Sequence, residues 1–180
     1  VESRLKVRAS LGIPDDVICV GSFQKDGAGW EEGMKPKLVK GPDIFLEVVS
    51  TLSNHFKNLL ILLTGPARGY VKQQLEKMGI PYINHYLSNY HDPVPYYQAL
   101  ELYIISSRSE GGPKALLESW ATGVPVVSTL VGMTADLIEH GKNGMLAELE
   151  DVKYLANHSI ALIEDDGLQE RCRRQALDDV

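Results

Sequence analysis

Short runs of apolar, often β-branched residues alternate with amphipathic stretches along the whole chain. This alternation constrains the fold more than any other feature. Residues 17–20, 59–63, 82–83, 102–105, 124–127 and 145–147 read as strands. Between them, Ile44, Val48, Leu52 and Phe56 keep a four-residue step, which is one face of a helix. Val71, Leu75 and Met78 repeat the pattern, as do Leu116, Leu117 and Trp120 after Pro113. Leu137 and Ile138 fall in a short helix after Gly132, and two helices close the chain at about 152–163 and 168–177. Strands alternating with helices predict an α/β fold: an open parallel sheet of about six strands with helices on both faces.

In such sheets ligands bind outside the carboxyl ends of the strands. The loops at that edge are 21–40, 64–68, 86–95, 106–112 and 129–134, and they hold most of the glycines. The loop "SRSEGGPKALLESWATG" is the most informative. Pro113 suits a first helical position, because its missing N–H is an orphan there anyway. Gly123 closes the helix. Gly111 and Gly112 let a ligand approach the backbone. The amides of Lys114 and Ala115 stand at the positive end of the helix dipole, a natural phosphate site. Glu110 precedes the helix and faces a ligand's reactive end. Glu118 lies about 6 Å of rise beyond Lys114, within reach of a hydroxyl pair on the same ligand. The competing reading makes Lys114 and Glu118 an i,i+4 pair on a solvated face.

The loop 21–40 takes about twenty residues where ~2–6 are usual. It carries Lys25, Lys35, Lys37 and Lys40. Lys40 leads through Gly41-Pro42 into the next helix, placed to neutralise a diphosphate brought in by the Gly21 loop. The other three lysines read as solvated residues of a flexible surface insert. Gly132-Met133-Thr134 opens another helix at the same edge.

Several function classes are excluded or disfavoured. A net charge of −6 argues against bulk nucleic-acid binding. No P-loop follows any strand, and no G-x-G-x-x-G follows the first. The five histidines are scattered and suggest no metal site. Cys19, inside an apolar run and far from Cys172, reads as a buried free thiol in a reducing, cytoplasmic compartment. No run is long enough to span a membrane. A length of 180 residues predicts one domain, 1–180, and an opening on Val1 reads as a connection from something upstream.

The ordered stretches "VGSF", "KG", "LLTG", "SRSEGGPKALLESWATGVPVVST" and "VGMTADLIEHGKNGML" resemble the carboxyl-terminal domain of glycosyltransferases of group 1, also called family 4. The resemblance runs from about Val17 to Leu149. It implies one Rossmann-like half of a GT-B fold, with an amino-terminal acceptor domain outside this chain. It also implies a retaining transfer from a UDP-, GDP- or ADP-sugar, with no metal or other cofactor. The acceptor would be a glycan or lipid-linked, and the whole protein peripheral at a membrane or free. By the same resemblance Glu110 sits against the transferred sugar, and Glu118 holds the ribose hydroxyls. Lys40 grips the diphosphate, and the backbone of Gly111, Gly112, Lys114 and Ala115 binds sugar and phosphate. The loop at Tyr86–Leu87 lines the base. Many members carry arginine after the glycine of the first strand. Here Gly21 is followed by Ser22, and Lys25 is the available substitute. This chain alone is expected to bind donor without transferring sugar. The alternatives are a non-catalytic nucleotide-binding module and another GT-B enzyme, such as a nucleotide-sugar epimerase.

Overall fold

The computed structural model describes residues 4–87 and 93–180. Part of the expected loop 86–95 therefore lies outside the described residues. Six strands, β1 (Ile18–Ser22), β2 (Leu59–Thr64), β3 (Tyr82–His85), β4 (Leu102–Ile105), β5 (Val126–Thr129) and β6 (Met145–Ala147), form one sheet. Its order is β3-β2-β1-β4-β5-β6, and every pairing is parallel. The order reverses between β1 and β4, the point at which doubly wound sheets open a crevice.

Burial explains why these strands carry so little polarity. All six residues of β2 are buried, as a parallel strand covered on both faces requires. Successive side chains alternate between two cores. Val20, Ile61, Leu63, Leu102, Ile104 and Val127 point to one. Cys19, Leu60, Leu62, Tyr103, Ile105 and Val126 point to the other. Helices α2 (Pro42–His55), α3 (Gly69–Met78) and α7 (Val152–Glu164) cover the first face. Helices α1 (Arg4–Leu11), α4 (Val94–Gln98) and α5 (Lys114–Ala121) cover the second. Short α6 (Met133–Leu137) follows β5, and α8 (Asp166–Asp178) sends Cys172 to one core and Ala176 to the other. Trp120, 1% exposed, anchors α5 on the sheet. Truncating such a ring to alanine costs about 3–5 kcal/mol. Asp151 and Asp165 cap α7 and α8 by accepting from the amides of Tyr154 and Leu168.

Three elements differ from expectation. The opening stretch is a helix, α1, rather than a plain connection. Its inward face includes Arg8, 1% exposed, which donates to the carbonyls of Ala99, Asp15 and Val17 and pairs with Glu101. Strand β5 starts at Val126, two residues late, because Pro125 has no N–H for the ladder; its carbonyl accepts from Tyr103 instead. Pro113 is the N-cap of α5 with extended backbone (ψ 105°), and the helix begins at Lys114.

The loop between β1 and α2 is not a floppy insert. It folds back on itself through Lys37 N–H to Asp26 O (2.7 Å) and Ala28 N–H to Lys35 O (2.8 Å). It then docks on the start of α3, where Gly69 and Tyr70 donate to the carbonyls of Glu32 and Gly33 at 2.5 and 3.1 Å. Gly33 has φ +71°, and a Cβ there would lie 2.4 Å from the carbonyl oxygen of Ala67. Beneath the insert, Asp26 and Arg68 form an ion pair at 3.0 Å, with both side chains 1% exposed. Arg68 also donates to the carbonyls of Ser22 (2.5 Å) and Thr64 (3.0 Å). Neither Asp26 oxygen meets a donor in hydrogen-bond alignment, and burial raises its carboxyl above the ordinary 3.8.

Candidate functional site

Two loops meet at the crevice between β1 and β4. One ends in a single 3-10 turn, Leu38–Lys40, and the other runs from Ser106 to Pro113. Gly41 makes the crossing possible. It has φ +61°, and a Cβ there would sit 1.8 Å from the carbonyl oxygen of Ser106. The Ser106 hydroxyl in turn donates to the Gly41 carbonyl at 2.9 Å. This contact brings Lys40 Nζ to 2.7 Å from Glu110 Oε1, with the side chains 25% and 13% exposed. The hydroxyl of buried Ser107 donates to the same Glu110 oxygen at 2.7 Å. Gln24 fastens the arrangement from the loop after β1: its amide donates to the Lys40 carbonyl at 2.9 Å, and Ser107 Oγ lies 3.4 Å from its oxygen.

Arg108 supports the turn from behind. It is bidentate to Asp43 (2.8 and 2.7 Å) and to Glu150 (2.5 and 3.0 Å), and it donates to the Leu38 carbonyl at 2.7 Å. Its own amide donates to the Val39 carbonyl at 2.9 Å. Hydrogen bonds from Arg108 hold the Asp43 carboxyl below its usual value, and the two carboxylates push the guanidinium up.

Glu118 is half-buried on α5, eight residues after Glu110. It does not pair with Lys114. Instead its Oε2 accepts from the Tyr97 hydroxyl at 2.8 Å. Tyr97 is 1% exposed and packs on Phe23 and Tyr103, with centroids at 4.8 and 5.3 Å. Burial raises its phenol well above the ordinary range. Tyr103, likewise pushed up by burial, to about 12, accepts from the Phe23 amide at 2.9 Å.

Lys40 and Glu110 thus meet at one crevice by the start of α5, where Gly111, Gly112 and Lys114 are exposed and Ala115 is half-buried, while half-buried Glu118 lies further along the same helix. A Cβ on Gly111 would meet nothing within 4 Å, so the chain there is open to a ligand. Gly21 lies at the carboxyl end of β1 beside Leu100, and Leu87 is half-buried after β3. Lys25 stands apart from the acids, its Nζ 3.4 Å over the ring of Trp30. Ser22 is fully buried and turned toward Arg68. Gln24, Ser107, Tyr97 and Arg108 escaped the sequence reading. Of these only Ser107 and Arg108, inside the glutamate stretch, carried a signal. Among the described residues, no three His, Cys, Asp or Glu side chains gather as a metal site. No helix among them is long and apolar enough to cross a membrane.

Known proteins share this architecture. The crystal structure of the carboxyl-terminal domain of LpcC, a group 1 glycosyl transferase protein from Francisella tularensis, is 19% identical with a TM-score of 0.80, over 100% of this chain and 92% of that one. HepE from Anabaena, solved with UDP and glucose, is 23% identical with a TM-score of 0.77, over 97% of this chain and 46% of that one. The sheet is therefore the GT-B carboxyl-terminal fold. In sequence, the lipopolysaccharide core biosynthesis mannosyltransferase LpsB of Rhizobium meliloti is 27% identical over 89% of this chain and 54% of its own length. The D-inositol 3-phosphate glycosyltransferase of Corynebacterium urealyticum is 28% identical over 88% of this chain and 38% of its own length. The chain therefore spans about half or less of these relatives. The family profile described as "Glycosyl transferases group 1" matches residues 36–179, and the chain belongs to that family.

Proposed function

We propose that this chain is the donor-binding domain of a retaining, metal-independent glycosyltransferase. In the whole protein it would hold a UDP-, GDP- or ADP-sugar for transfer to a glycan or lipid-linked acceptor bound outside residues 1–180. The observation that carries the reading is the Lys40–Glu110 contact of 2.7 Å at the mouth of α5. It puts a cation and a carboxylate at one point, beside exposed helix amides and over the sheet's switch point.

Each group has a task in this reading. Lys40 and the first amides of α5 take the diphosphate, whose charge grows as the glycosidic bond breaks. Fixed charges and dipoles aimed at that oxygen stabilise the transition state without a metal. Glu110 addresses the sugar, and Glu118 accepts from the ribose hydroxyls. The chain alone binds nucleotide and transfers nothing. HepE, solved with UDP and glucose, makes UDP the first ligand to try.

Calorimetric titration of the chain with UDP, GDP and ADP, with and without EDTA, tests the reading. One nucleotide should bind equally well in both buffers, and Lys40→Ala should weaken it by about ten- to a hundredfold, the worth of a charge-assisted contact. Loss of binding on chelation would overturn metal independence. Unchanged affinity in Lys40→Ala would remove the diphosphate role.

A further inference from the structure

We infer that Tyr97 is a positioning residue for ribose recognition, one that sets the rotamer of Glu118. The inference rests on the donor-site reading above. Glu118 is a long, half-buried side chain on an eight-residue helix. Left to itself it would sample several rotamers, and a ligand would have to arrest them. The Tyr97 hydroxyl removes that freedom by donating to Oε2 at 2.8 Å.

The donor is itself immobile. Tyr97 is 1% exposed, and its ring is wedged against Phe23 and Tyr103. Phe23 is held in turn by the hydrogen bond that its backbone N–H donates to the Tyr103 hydroxyl at 2.9 Å. Glu118 is therefore oriented from β1, β4 and α4 together. A carboxylate has about four acceptor positions, so one bond from tyrosine leaves capacity for a hydroxyl pair. The bond also costs the site nothing in charge, because burial keeps the phenol protonated.

Tyr97→Phe keeps the ring and its packing and removes only the donor. The experiment measures binding of UDP and of 2′,3′-dideoxy-UDP to four proteins: wild type, Tyr97→Phe, Glu118→Ala and the double variant. Wild type should prefer UDP. Tyr97→Phe should weaken UDP by about three- to tenfold, the cost of immobilising one side chain on binding, and leave the dideoxy analogue within about twofold. In the Glu118→Ala background the same change should have no further effect on either ligand. A Tm lower by about 2–4 °C is compatible with the lost hydrogen bond and does not bear on the ribose role. Equal weakening of both ligands by Tyr97→Phe, or no weakening of UDP, would overturn the inference while leaving the donor site standing. A ribose preference that survives Glu118→Ala would overturn the role of Glu118 and this inference with it. Absence of UDP binding to wild type would strike the proposed function itself for a uridine donor.

Discussion

Arg68→Met, Asp26→Asn and the double variant would reveal what holds the β1–α2 insert. The pair is a closed system: each side chain is 1% exposed, and they meet at 3.0 Å. Arg68→Met strands a buried carboxylate and also leaves the carbonyls of Ser22 and Thr64 without their guanidinium donors. Removing one partner of a buried pair costs about 3–5 kcal/mol. Asp26→Asn is milder, about 1–3 kcal/mol, since Arg68 keeps its bonds to the carbonyls of Ser22 and Thr64. Changing both removes both buried charges, so the double variant should be more stable than the sum predicts by about 1–3 kcal/mol. Urea denaturation at constant pH reads all four proteins, with unchanged slopes showing that the unfolded state is comparable. Additivity to within about 0.5 kcal/mol would refute the reasoning. It would mean that backbone contacts alone, such as Gly69 to Glu32, keep the insert in place.

Four further outcomes follow from the same geometry. Burial raises the Asp26 carboxyl above 3.8, so its contribution to stability is full below that value and fades as pH rises through the native one. Wild type should therefore gain on Asp26→Asn between pH 7 and 4 in urea melts, and the opposite trend would exclude a raised value. Gly41→Ala combines a left-handed backbone with a 1.8 Å clash against Ser106 O, so stability should fall by at least about 2 kcal/mol and nucleotide binding with it; calorimetry on the folded fraction reads the second effect. Arg108→Lys cannot reproduce two bidentate carboxylate contacts and should lower stability by about 1–3 kcal/mol, with the Asp43 carboxyl returning toward its ordinary value in a carbon-detected NMR titration. Under the proposed function, Glu110→Gln in the whole protein should slow transfer while sparing affinity for the sugar-free nucleotide, and equal loss of both would contradict the proposed sugar role.

The sheet was legible because its strands are buried on both faces, and burial writes itself as apolar runs such as that of β2. Helices with one wet face, α2 above all, were legible by period. Helix α1 was not, because a buried arginine occupies its inward face, its charge met by Glu101 far along the chain. Helix α4 has only five residues, one of them Pro95, too few to show a period. At the crevice, the turns that present Lys40 and Glu110 were legible because glycine and proline mark them. Tyr97 and Arg68 were not, since their partners Glu118 and Ser22 lie 21 and 46 residues away and only the fold joins them. The pairing of Glu118 with Tyr97 rather than Lys114 has the same origin: α4 packs on α5 and offers a buried donor, where local spacing offered only a solvated one.

Under the proposed function, the contact between Lys40 and Glu110 would make nucleotide binding an exchange. A free lysine would sit in its own ion atmosphere and shed it when a diphosphate arrived, so affinity would fall steeply as salt is added. Here the ammonium already has a counter-charge on the same surface, at 2.7 Å. The incoming phosphate would replace a tethered carboxylate, and that carboxylate would be released to turn toward the sugar. The ammonium trades one anionic partner for another, so it sheds few mobile ions of its own. Affinity should then fall less steeply with added salt than a lysine without such a partner would make it, and in that reading the carboxylate is freed for the sugar only by the arrival of the ligand that carries it.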